Sequence, residues 1–135
     1  MLRLWPSAAQ ISSAICGTIG ASSSVKDYYA DASYNQLTLS AAAESHGTAN
    51  DGVVGWLNLG YAHPNPGTAI NNSNAQIARD ALQAADGSVN FAPFDTNSNG
   101  YISSNELHIV IIVAGFERSY SVSAPSVWGH RGWLN

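Results

Sequence analysis

The sequence predicts an α/β (α+β) fold, a mixed β-sheet with helices packed on it, in a single domain covering residues 1–135. Three observations predict it. Apolar residues recur at helical spacing in three places, each behind a capping signal. Leu37, Leu39 and Ala41 alternate with Thr38 and Ser40, the period of a strand. Residues 107–114 form an unbroken apolar run whose length and β-branched content fit a strand buried on both faces. Helices that precede a buried strand imply a layered arrangement with mixed strand directions.

Each element has its own local reason. Ser7 and Gln10 make the capping-box pattern S-x-x-Q, and Ala8, Ile11, Ala14 and Ile15 then share one helical face. Gly17 and Gly20 stop that helix. Ser24 caps a second, short helix with Asp27 in its first turn and Val25, Tyr28 and Tyr29 as its buried side. After the alternating segment, residues 44–52 read as a polar loop. Residues 53–59 read as a second strand with Trp56 as a large anchor. His63, Pro64, Asn65, Pro66 and Gly67 make a turn-rich loop. Ser73 and Gln76 repeat the capping box, and Ile77, Ala78, Ala81, Leu82 and Ala85 mark the clearest helix, closed by Gly87. The tail is irregular and aromatic, with Trp128, His130 and Trp133. No internal repeat and no linker interrupts the chain.

Composition narrows the function classes. Apolar residues make up 45%, enough for a core, while charged residues make up only 10%, far below the usual quarter. Such a surface has little charge repulsion and favours self-association. The net charge is -4, and Arg3, Lys26, Arg79, Arg118 and Arg131 are scattered, so nucleic acid is not an expected partner. No apolar stretch is long enough to span a membrane. The first residues do not read as a signal peptide, because Ser7, Gln10, Ser12 and Ser13 interrupt the apolar segment. Cys16 is the one cysteine, which excludes an internal disulfide and reads as a buried structural thiol.

Residues 95–106, D-T-N-S-N-G-Y-I-S-S-N-E, match the calcium-loop pattern D-x-[DN]-x-[DN]-G-x5-E at every specified position. A chance match in a chain this size is on the order of one in a few thousand. Calcium takes oxygen ligands, and Asp95, Asn97 and Asn99 offer side-chain oxygens at alternate loop positions. Gly100 permits the sharp turn, Tyr101 offers its backbone carbonyl, Ser103 acts directly or through water, and Glu106 is the bidentate ligand. Ile102 pins the loop to the core. The bland alternative is a solvated Asx-rich turn. With only Asp95 and Glu106 charged, affinity is expected to be modest. The following segment reads as a strand rather than a helix, so the expected role is a structural calcium rather than a sensor.

Ser24-Val25-Lys26-Asp27-Tyr28-Tyr29, then Ser33-Tyr34 and Leu37, resembles the S-V-x-D-Y-Y…S-Y-x-x-L segment of the M6 (immune inhibitor A-like) metallopeptidase family. Val54-Gly55-Trp56 resembles the strand that follows. Phe94 and Asp95 through Gly100, Glu106 to Val110, and Ala114-Gly115 resemble its calcium loop and central strand. Trp128-Gly129-His130-Arg131 resembles its W-x-H-R element. The resemblance runs from about Ser7 to Trp133 and implies the N-terminal subdomain of a zincin-like metallopeptidase, of a secreted type. The family's zinc-binding H-E-x-x-H helix is absent from this sequence, so the resemblance carries over neither zinc nor any catalytic residue. A truncated or repurposed domain is therefore expected.

The remaining chemistry is sparse. His46, His63, His108 and His130 show no metal-ligand spacing. His108 reads as a hydrogen-bonded core residue, His63 as solvated, and His130 as an orienting partner for Arg131 or a cap on a backbone carbonyl, with a zinc role the weaker reading. Glu44, His46 and Asp51 share one loop, where adventitious metal binding is the weaker reading. Nucleophile elbows and phosphate loops are lacking. The leading expectation is a non-catalytic calcium-binding domain with an apolar face that a second copy or a missing C-terminal half would cover. The alternatives are one half of a split or longer zinc metallopeptidase, inactive alone, and a small binding protein or hydrolase with an unrecognised site.

Overall fold

A computed structural model describes residues 6–17, 24–62, 74–117, 126–127, 129 and 131–132. Helix α1, Ala8–Cys16, starts where the sequence says it should. Ser7 Oγ accepts from the Gln10 N–H at 3.2 Å, and Gln10 Oε1 accepts from the Ser7 N–H at 2.8 Å. Helix α2, Val25–Ala32, has the same device in acidic form. Asp27 Oδ2 accepts from the Ser24 N–H (3.0 Å) and hydroxyl (2.9 Å), while Ser24 Oγ accepts from the Asp27 N–H (3.1 Å). These bonds, chiefly that from the Ser24 N–H, hold the Asp27 carboxyl below its ordinary value. Helix α3, Asn74–Ala85, is the longest and buries Ile77 and Ala85. Its Asp80 accepts from the Tyr61 hydroxyl at 2.9 Å and from Gln76 Nε2 at 2.8 Å. The cap expected from Ser73 lies outside the described residues.

The chain divides into two compact units: Met1–Trp56 with Gly87–Asn90, and Leu57–Asp86 with Phe91–Asn135. In the first, α1 packs on α2, and the loop at 44–52 is stitched to its surroundings by side chains. Ser12 Oγ on α1 donates to the Asp51 carbonyl at 3.2 Å. The Ser45 N–H and hydroxyl both donate to the Ser88 carbonyl, at 2.9 and 3.2 Å. Gly52 is required twice over, since its φ is +78° and a Cβ there would lie 3.1 Å from that of Ala41. In the second unit, α3 precedes a 3-10 turn at Ala92–Phe94, which leads directly into the loop at 95–106.

The expected mixed sheet is not formed among the described residues. Among the described residues the molecule is helical, and the strand pairing is a two-residue parallel match of Phe116–Glu117 (β1) with Ser126–Val127 (β2). Residues 37–41, 53–59 and 107–114, which the sequence predicts as strands, have no regular structure. A physical reason is visible in the first two. The Leu37 N–H donates to Ser33 Oγ (2.9 Å), the Val53 N–H to Asp51 Oδ1 (2.9 Å), and the Gly55 N–H to His46 Nδ1 (3.1 Å). Side chains thus take backbone donors that a ladder would otherwise use. The third segment contradicts burial outright: Ile109, Val110, Ile111 and Ile112 are 47%, 68%, 38% and 44% exposed.

Other burial expectations are corrected with it. Trp56, Val25, Tyr28, Tyr29 and Ile102 are exposed rather than anchoring a core. Cys16 is half-buried. The buried hydrophobic residues among those described are Ile77, Ala85 and Val89. Without a sheet to pack against, amphipathic faces that were expected to be covered remain in solvent.

Candidate metal centre

The loop at 95–106 is closed by its own acidic and amide oxygens. The Ala92 carbonyl accepts from the Asp95 N–H at 3.2 Å, which sets the first residue at the exit of the 3-10 turn. Asp95 Oδ1 accepts from the Asn99 N–H (3.0 Å), and Oδ2 accepts from the Gly100 N–H (2.8 Å). Asn97 Oδ1 also accepts from the Asn99 N–H (3.0 Å), and Asn99 Oδ1 accepts from the Tyr101 N–H (2.9 Å). These are Asx-type bonds that wind the chain tightly. The winding needs left-handed backbone at Ser98 (φ 56°) and Gly100 (φ 84°), the latter being the glycine that the calcium pattern specifies.

Glu106 joins the two ends. Its Oε1 accepts from the Thr96 N–H (2.9 Å), the Thr96 hydroxyl (2.9 Å) and the Asn97 N–H (3.3 Å). Its Oε2 accepts from the Ser103 N–H (2.8 Å) and hydroxyl (2.7 Å). The Ser103 N–H is the main cause, with the Ser103 and Thr96 hydroxyls next, that lowers the Glu106 carboxyl to about 2. The group is charged at neutral pH.

The donor set fits a hard divalent cation. Asp95, Asn97 and Asn99 present oxygens on one short loop, and most of these oxygens accept a single N–H. A carbonyl-type oxygen has two lone pairs, so such an oxygen retains capacity for an ion. Glu106 differs: five donor contacts crowd a carboxylate with about four lone-pair sites. Bidentate ligation by Glu106 therefore requires exchange of some of these donors for the ion. The structure brings Asp95, Asn97, Asn99, Tyr101, Ser103 and Glu106 onto one continuous loop. It uses Ser103 as a partner of Glu106. Thr96 carries no role in the calcium pattern, yet it supplies two of Glu106's donors. A hydroxyl next to the leading Asp was the available signal.

The described histidines, His46 and His108, form no metal centre. Among the described residues no three His, Cys, Asp or Glu side chains gather as metal ligands. His46 is half-buried, and its Nδ1 lone pair accepts the Gly55 N–H, which places the ring proton on Nε2 in the neutral form. His108, expected in the core, is exposed. His63 and His130 lie outside the described residues. The acidic member of the first loop, Glu44, is only 6% exposed and is taken up by backbone donors, with Oε2 accepting from the His46 N–H and Oε1 from the Asp51 N–H at 3.0 Å. Comparison with protein-family models, with curated proteins and with solved structures finds no match.

Proposed function

We propose that the chain is a non-catalytic, calcium-stabilised domain related to the M6 metallopeptidases, with the ion held by the loop at 95–106. The observation that carries this reading is the coincidence of a complete calcium pattern with a loop already wound around Asp95 and Gly100. The role is structural: the ion would take over the bridging that Glu106 performs between Thr96 and Ser103. Terbium luminescence tests it, because Tyr101 stands in the loop as a built-in sensitiser. Terbium emission excited through tyrosine, displaced by calcium and lost in Asp95→Asn and Glu106→Gln, is the expected outcome. Emission that is equal in wild type and both variants sinks the reading.

A second reading, one half of a split or longer zinc metallopeptidase, is favoured by the exposed apolar residues Ile109, Val110, Ile111 and Ile112, which a missing half would cover. Casein cleavage by this chain alone in the presence of zinc would overturn the non-catalytic assignment. Cleavage only by a longer product carrying H-E-x-x-H would favour the second reading.

A further inference from the structure

We infer that His46 is a pH-operated latch that fastens the segment around Gly55 to the loop at 44–52. The Gly55 N–H donates to His46 Nδ1 at 3.1 Å, so this bond exists only while that nitrogen carries a lone pair. The ring lies flush on the backbone: a Cβ at Gly55 would meet His46 Cε1 at 2.8 Å and Nδ1 at 3.1 Å. Glycine is the residue that permits this approach. The backbone that carries the ring is tied down, since the His46 main-chain N–H donates to buried Glu44 at 2.6 Å and the Asn50 N–H donates to the Glu44 carbonyl at 3.0 Å.

Protonation converts Nδ1 from acceptor to donor. Two N–H groups then face each other, and the Gly55 segment must move away. Imidazole is the side chain whose charge ordinarily changes between about pH 5 and 8, which sets the two pH values at which the bond is compared. The titratable groups on the segments bonded into this loop are Glu44 and Asp51, with Cys16 on α1; Gly87–Asn90 carries none. Helix α2, which packs on α1, adds Lys26, Asp27, Tyr28, Tyr29 and Asp31. Both loop carboxylates already accept backbone N–H groups, Glu44 from His46 and Asp51, and Asp51 from Val53. They therefore stay with the loop when the ring lets go.

The test is the amide exchange protection factor of Gly55, read by NMR at about pH 7.5 and about pH 5. In wild type, protection is expected to fall about five- to tenfold at the lower pH, the worth of one hydrogen bond. His46→Asn places a non-titrating acceptor near the Nδ1 position and should keep Gly55 protected at both pH values. His46→Ala should leave it unprotected at both. Ring nitrogen shifts in wild type should show the neutral form protonated at Nε2, a readout that stands even if a variant fails to fold. Equal wild-type protection at both pH values overturns the latch, as does a neutral ring protonated at Nδ1. A pH-dependent loss that persists in His46→Asn assigns the change to Glu44 or Asp51 and also overturns it.

Discussion

Two loops in this molecule are closed by a glutamate, one buried and one half-buried at the surface, and the contrast separates a clasp shielded from water from one whose bonds compete with it. Glu44 is 6% exposed and fastens the backbone at His46 and Asp51. Glu106 fastens Thr96, Asn97 and Ser103 from the loop surface, where each bond competes with water. Burial makes the first clasp hard to exchange, because an unpaired buried polar group is costly. Exposure makes the second replaceable, because water or an ion can take its place at small cost. The same side chain thus serves architecture in one loop and is open to exchange in the other.

The largest expected effect comes from breaking the buried clasp. Glu44→Ala removes the acceptor of the His46 N–H and leaves the Asp51 N–H with the Thr48 carbonyl at 3.4 Å, and at about 1–3 kcal/mol for each donor so affected a loss of about 2–6 kcal/mol is expected in denaturant unfolding. A loss no greater than that of an exposed substitution would remove the distinction between the loops. Next in size is the ligand effect on the exposed clasp. Thermal melts in millimolar calcium against EDTA should separate by the linkage amount, ~2.7 kcal/mol at a hundredfold excess over Kd. The separation should vanish in Glu106→Gln.

The glycines sharpen the comparison. Gly52 and Gly100 both sit at positive φ, +78° and +84°, but only Gly52 has a neighbour in the way. Gly100→Ala should cost about 1 kcal/mol of backbone strain, and Gly52→Ala more, because the Ala41 backbone must also give. Equal losses in chemical denaturation would show that the 44–52 loop is looser than its contacts imply. The smallest effect is acid sensitivity in EDTA. The Glu106 carboxyl titrates at about 2 in the folded chain against 4.5 as its ordinary value. Its folded pKa is depressed, so its contribution is fully present above about pH 4.5 and is lost as pH falls toward about 2. A charge-neutral Glu106→Gln variant should show a flatter stability profile across that window.

How much was legible in the sequence follows bond by bond. The capping boxes at Ser7 and Ser24 formed as read, since donor and acceptor stand three residues apart and need no help from elsewhere. The loop at 95–106 was legible as a tight, glycine-dependent turn for the same reason, although the calcium pattern assigns Thr96 no role and its hydroxyl shares Glu106 with that of Ser103. The strands at 37–41, 53–59 and 107–114 were misread. Alternation and β-branching measure fitness for a sheet, and that fitness is realised only when a partner strand arrives. Here Ser33, Asp51 and His46 reach the backbone first.

The sequence by itself determined the starts of the first two helices, the three helical segments and the tight winding of the loop at 95–106, because those depend on interactions within about one or two turns of chain. Only the tertiary structure decided that the expected sheet is absent among the described residues, that Glu44 is buried, and that His46 acts as an acceptor for Gly55. Those outcomes depend on which distant groups meet, and local pattern carries no information about a partner's arrival.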